Sequence, residues 1–335
     1  MTRALGFLLL AACGNHAPPP PHDAPRPIMH APDVHLPSTK QYTTPQSIAL
    51  PAPKIALPHQ ESFELRSAGA APRAVLRYAI TPSTPEVTIE TRLTSRHLDH
   101  GVFSAPQALP AITDGFAAGA GKPDAIAVRA LPGAAATKSP ETDAYLAPWH
   151  TLLEGRRASA AFDARGQLGA VVFNDDPTGV RSGKAADELV QRLLAATVPL
   201  PVEAIGTGAS WTVVTVLRQS DAYVKQTATY TLLGRAPGLW KLHVKLLRTG
   251  EEQLVAPDGL PRGATLDLVA LFRVLEGDVT VVPLHPLVHS GMLSIESRIH
   301  ARLDVPGQPE VDEFAEDTGT AVFATAPGAA RASAP

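Results

Sequence analysis

Trp240-Lys241-Leu242-His243-Val244-Lys245-Leu246 decides the fold. Apolar side chains alternate with basic or polar ones without a break. A period of two sets one row against a core and the other in water, which is a strand with one solvated face. The pattern recurs on both sides of this stretch. Val87, Ile89 and Leu93 alternate with Glu86, Thr88, Glu90 and Arg92. Leu293, Ile295, Ile299 and Leu303 alternate with Ser294, Glu296, Arg298, His300 and Arg302. A parallel sheet covered on both faces would read instead as continuous apolar runs, so the alternation predicts an antiparallel sheet.

Turn chemistry joins these strands. Asp163-Ala164-Arg165-Gly166 separates Arg156–Phe162 from Gln167–Phe173, and Gly234-Arg235-Ala236-Pro237-Gly238 separates Thr227–Leu233 from Leu239–Leu247. In each the glycine can take the positive φ that such a hairpin needs. Further strands are expected near residues 73–80, 125–130, 210–218 and 264–275, roughly ten in all. One helix is expected over 183–196, with Ser182 as its N-cap and Thr197-Val198-Pro199 as its stop. Leu189, Val190, Leu193 and Leu194 form its apolar stripe, and Lys184, Asp187, Glu188, Gln191 and Arg192 are expected to face outward. The fold class that follows is mainly β: an antiparallel, curved sheet or half-barrel with one amphipathic helix packed on it.

The N-terminus carries an address. Arg3 is followed by Ala4-Leu5-Gly6-Phe7-Leu8-Leu9-Leu10, a run too short to span a bilayer and suited to the apolar part of a signal peptide. Leu10-Ala11-Ala12-Cys13 then resembles the lipobox of bacterial lipoproteins. That resemblance implies cleavage after residue 12 and acylation of Cys13, the chain's one cysteine, which would anchor the protein to a lipid bilayer. Gly14, where an Asp would favour inner-membrane retention, points to the outer membrane of a Gram-negative bacterium. Residues 13–60 read as a Pro-rich disordered tether, with Pro18 to Pro21 consecutive. Its histidines, including His16, His22 and His30, are irregularly spaced and read as linker residues. Residues 304–335 read as a disordered acidic and Ala/Pro-rich tail, because six acids from Asp304 to Asp317 face Arg331 alone. The expected domain is therefore 61–303, able to fold without either end.

Charge and motifs narrow the function by exclusion. Residues 61–303 are formally neutral, which leaves no basic excess for a nucleic-acid backbone. Gly179 to Ala185 is one residue short of a phosphate loop and ends in Ala where a hydroxyl should meet Mg²⁺. Gly206-Thr207-Gly208 lacks the third glycine of a dinucleotide loop. Asn174-Asp175-Asp176-Pro177 has acids without the spacing of a calcium loop. His97 with His100, and His285 with His289, offer two ligands each and no third. No Gly-x-Ser-x-Gly nucleophile elbow is present. No catalytic residue, metal site or cofactor is therefore expected.

One segment is more distinctive. Leu200-Pro201 and then Ile205-Gly206-Thr207-Gly208-Ala209-Ser210-Trp211, with the Asp163–Gly166 turn upstream and the Tyr230/Trp240 hairpin downstream, resemble an uncharacterised family of secreted bacterial lipoproteins, a domain of unknown function. The resemblance covers about 150–303 well and 61–149 faintly. It implies an extracytoplasmic β-rich lipoprotein and brings no activity. Trp211 reads as a core anchor, with a ligand-stacking platform as the alternative, and Leu189 and Leu193 either pack the core or lid a cavity. Three functions follow. The first is a non-enzymatic envelope lipoprotein holding a hydrophobic ligand in its half-barrel, by architectural analogy with half-barrel carriers of acyl chains. The second is a structural or assembly module binding another envelope component. The third is an uncharacterised hydrolase.

Overall fold

The structure is a computed structural model. It describes residues 58–79, 86–99, 102–120, 125–138, 143, 146–147, 150–175, 183–219, 221–255 and 263–326. Cys13, the tether to residue 57 and the proposed cap Ser182 lie outside them.

Strands carry the chain. In order they are β1 His59–Ser67, β2 Ala74–Val75, β3 Glu86–Asp99, β4 Val102–Phe103, β5 Gln107–Ala108, β6 Ile112–Ala120, β7 Ala125–Ala130, β8 Ala134–Ala135, β9 Arg157–Phe162 and β10 Leu168–Phe173. After the helix Gly183–Ala195 come β11 Ala204–Ile205, β12 Ser210–Gln219, β13 Ala222–Ala236, β14 Leu239–Gly250, β15 Gln253–Val255, β16 Thr265–Val281, β17 Val288–Asp304 and β18 Val311–Ala326. Sixteen of them form one sheet, whose main path runs β1-β12-β13-β14-β16-β17-β18-β3-β6-β7-β9-β10. Every pairing is antiparallel, and the sheet does not close into a barrel.

Its two ends meet through side chains of β1 and of the turn that leads into β10. Gln167 Nε2 donates to Gln60 Oε1 at 2.5 Å, and the Arg165 guanidinium lies 4.6 Å from the centre of the Phe63 ring. The turn between β9 and β10 that carries Arg165 has Gly166 at φ 77°, and Asp163 Oδ1 accepts from the backbone N–H groups of Arg165 and Gln167. The β13–β14 turn likewise has Gly238 at φ 74°.

The helix lies inside the curl. Ala185, Leu189, Val190 and Leu193 are buried, and Leu194 packs on a second apolar cluster. Its polar side is not solvated as expected. Gln191 is 9% exposed, and Arg192 is ion-paired with the buried Asp114 of β6 and with Glu188. A helix packed on an outer face would show one side to water. This one is enclosed, so both sides meet protein. The segment after it is fixed by three aromatic donors. Tyr230 Oη donates to Thr197 O at 3.5 Å, Tyr78 Oη to Val198 O at 2.9 Å and Trp211 Nε1 to Pro199 O at 2.7 Å.

Two sequence expectations fail here. The strand expected at 73–80 is the two-residue β2, paired with β11. More seriously, residues 311–326 are not a disordered tail. They form β18, hydrogen-bonded to β17 on one side and β3 on the other, in the middle of the sheet. The domain bounds 61–303 are corrected at both ends, since β1 starts at His59 and the sheet needs residues to 326. The acids that suggested disorder are answered across strands. Glu316 pairs with Arg96 of β3 and Arg298 of β17, and Asp312 with His300.

Candidate functional site

The inward positions of the sheet are apolar on most rows. On β14 they are Trp240, Leu242, Val244 and Leu246, and on β13 Ala228, Tyr230 and Leu232. These join the main cluster, together with Trp211, Leu189 and Leu193. At the other end of the same strands a second cluster gathers Leu217, Val224, Leu271, Ile299 and Ala315.

Between the two clusters runs one polar row. Strand register places Gln60 opposite Thr215, Thr215 opposite Gln226, Gln226 opposite Arg248, and Arg248 opposite Arg273. It continues from Arg273 to Ser297, from Ser297 to Asp317, and from Asp317 to Ser95. Eight neighbouring strands each place a polar side chain at the same level, from exposed Gln60 at the sheet's end to buried Ser95. Thr215, Gln226, Arg248, Ser297, Asp317 and Ser95 are all buried. Buried polar groups are tolerated when hydrogen-bonded, and buried charges when paired, so the pairing of this row is informative.

Arg248 is 5% exposed, and among the described residues its hydrogen-bond acceptors are all neutral. Its Nε donates to Gln226 Oε1 at 2.8 Å, its Nη2 to Gln191 O at 3.0 Å and its Nη1 to Gln219 Oε1 at 3.5 Å. Burial, and then the neighbouring Arg273, push its guanidinium down to about 9, which still leaves it charged at neutral pH. Arg273 donates from Nε to Ser297 Oγ at 3.3 Å. Among the described residues neither arginine forms a salt bridge. Glu188, the helix acid that acts on Arg248, is engaged by Arg192, as is Asp114. Burial raises the carboxyls of Asp114 and Asp317 above the ordinary range, with Arg192 acting against it at Asp114, and Ser95 and Arg273 at Asp317. Each has one oxygen without a hydrogen-bond partner among the described residues.

The row opens at its Gln60 end. A crevice between the sheet's two ends is lined by Gln60, Gln167, Thr215 and Gln226, and by Leu168, Leu194, Val213 and Ala228. It holds about 40 Å³ open to water, which is room for roughly two to four water molecules. Its wall is half polar row and half apolar layer.

The residues singled out from sequence lie elsewhere. Trp211, Leu189 and Leu193 are at 0–2% exposure inside the main cluster, and none of them lines the crevice. Trp211 stacks on Tyr230 with ring centroids 5.6 Å apart. Gly206 lies against the chain, since a side chain there would bring its Cβ to 1.7 Å from Ala70 O, whereas Gly208 has open space and a φ of 80°. His285 is buried and pushed down to about 4, by burial first and His289 second. Among the described residues no three His, Cys, Asp or Glu side chains gather as a metal site would require. No helix there is long and apolar enough to cross a membrane.

Arg248 and Arg273 were missed because the alternation was followed only to Leu246. Two residues further, the same parity turns Arg248 inward, and Leu271-Phe272-Arg273-Val274-Leu275 puts Arg273 between two inward leucines. No protein-family model and no curated protein matches the chain.

Proposed function

We propose that the chain is a non-enzymatic, lipid-anchored protein of the bacterial envelope, held to the bilayer through acylated Cys13, whose half-barrel takes up an amphiphile. The crevice between β1 and β10 carries this reading. Its lining is apolar on one side and polar on the other, and it leads between two apolar layers. Among the described residues side chains alone join the sheet's ends there, so the gap can widen without breaking a backbone ladder. An acyl chain would lie along Leu168, Leu194, Val213 and Ala228, with its polar end toward Thr215 and Gln226. The 40 Å³ crevice is far smaller than the ~300–1,000 Å³ of a ligand site. Uptake therefore requires the helix to move, as elements that gate binding sites do.

Native mass spectrometry of the full chain carrying Cys13→Ser, mixed with laurate, tests the carrier reading. A retained acyl adduct supports it, and no adduct at excess laurate removes it. Acyl labelling of the unsubstituted chain tests the anchor, which labelling of Cys13→Ser would contradict. The alternative of a structural or assembly module draws on a different observation. Leu189, Leu193 and Trp211 are essentially without exposure, so the interior around them is already filled. A chain that retains no amphiphile but sediments with other envelope proteins would favour that module.

A further inference from the structure

We propose that Arg248 and Arg273 form a binding site for one anionic group, a carboxylate or phosphate, at the centre of the polar row. Taking that group to be an amphiphile's head rests on the carrier reading above. The anion site itself rests on the arginines.

The two residues are register partners on β14 and β16, and both point into the interior. Register partners in an antiparallel pair lie about 4.5–5.5 Å apart at Cα. Like charges set opposite one another are unfavourable even on a wet surface, and here Arg248 is buried and Arg273 half-buried. Among the described residues Arg248 donates hydrogen bonds to amide and backbone oxygens and Arg273 to the Ser297 hydroxyl, while Glu188 and Asp317 act on them through space without bonding to either. The other cation of the interior, Arg192, is the one that holds the acids: Asp114 and Glu188 are both bonded to it. The remaining acid of the row, Asp317, is two strands from Arg273, across Ser297. An apolar pair would fit these positions without loss, since Leu246, Leu271 and Leu275 occupy the neighbouring inward places on the same strands. Buried ion sites are commonly less stable than their apolar replacements. Two adjacent arginines with no carboxylate bonded to either therefore have the character of a site awaiting an anion. Guanidinium forks suit planar or tetrahedral oxyanions through paired N–H donors.

The site is also within reach of water. Gln226 lines the crevice, and its Oε1 accepts from Arg248 Nε. Rotating that one amide away exposes the guanidinium to the crevice. The Nε–H and Nη–H groups of Arg248 would then donate to the anion, and Arg273 would close on it from the adjacent strand.

The test uses the full chain carrying Cys13→Ser, so that its own acyl group does not compete, with Arg248→Gln and Arg273→Gln added singly. Arg273→Gln guards against loss of fold at the more buried Arg248. Laurate, dodecanol and inorganic phosphate are titrated against each, with binding read by calorimetry and by the rise in Tm. The expected result is that laurate binds the parent chain and weakens at least tenfold in both arginine variants that fold, while dodecanol binding is the same in all. If phosphate alone shows the arginine dependence, the anion site stands and the carrier reading falls. If laurate and dodecanol bind equally well and neither variant changes laurate, the carrier reading stands and the anion site falls. If neither laurate nor phosphate binds the parent chain, the anion site is overturned.

Discussion

Trp211 supplies one of the three donors that fix the path of the chain after the helix. Its Nε1–H reaches Pro199 O, a carbonyl that has left the helix and found no strand. Trp211→Phe keeps the apolar contact and removes the donor. It should lower stability by about 0.5–1.5 kcal/mol, the net worth of a hydrogen bond whose part-buried acceptor can still meet water in the crevice, measured by urea denaturation. Two titrating residues act in opposite directions. Burial keeps His285 neutral in the fold, with its value moved from 6.5 to about 4. Between those limits the unfolded chain binds the proton more readily, so this contribution is complete above pH 6.5 and is lost as pH falls toward 4. Glu313, beside His97 at 3.6 Å, is moved by burial from 4.5 up to about 7. There the folded chain keeps the proton longer, so its contribution is complete below 4.5 and is lost as pH rises through 7. Melting temperatures between pH 5 and 8 should show Glu313→Gln less sensitive to rising pH than the parent chain. His285→Gln should be less sensitive to acidification below pH 6.5.

The helix Gly183–Ala195 shows what an enclosed element demands of its polar side. Leu193 is wholly buried, and Leu193→Ala should cost about 2–5 kcal/mol. Arg192→Leu should be as damaging, about 3–5 kcal/mol, because it leaves Asp114 buried without its counter-charge. Adding Asp114→Asn to that variant should recover part of the loss, and a double-mutant cycle read by chemical denaturation would show it. Much of this element was legible. Helical spacing marked Leu189, Val190 and Leu193 as the buried stripe. The fate of Glu188, Gln191 and Arg192 was not, because periodicity tells which residues share a side and not whether that side meets water or a second layer of protein. Strands show the same division. Clean alternation identified β14 and β17. It passed over β18, whose inward positions Ala315, Asp317, Gly319 and Ala321 are small or acidic before Phe323 near the strand's end. Such a strand lacks the apolar beat, and only its neighbours Arg96, Arg298 and His300 reveal why its outward acids are there. The polar row was readable in part, since parity sets each member inward. That the members stand level with one another depends on register, which no single strand contains.

For the whole molecule, β18 is the strand that joins two half-sheets. On one side lie β17, β16, β14, β13, β12 and β1, and on the other β3, β6, β7, β9 and β10. A chain ending at Asp304 should lose the cooperative melt that a chain ending at Ala326 retains, as followed by far-ultraviolet circular dichroism. If the shorter chain melts cooperatively at the same temperature, β18 is dispensable. The position of this strand also orders events in time. Synthesis runs from the N-terminus, so β3 emerges more than two hundred residues before the partner that covers its edge. Until residue 326 arrives, two unfinished sheets present long bare edges, β3 on one and β17 on the other, each able to pair with whatever strand comes first. A nascent chain built this way gains from being kept extended until its last strand is made.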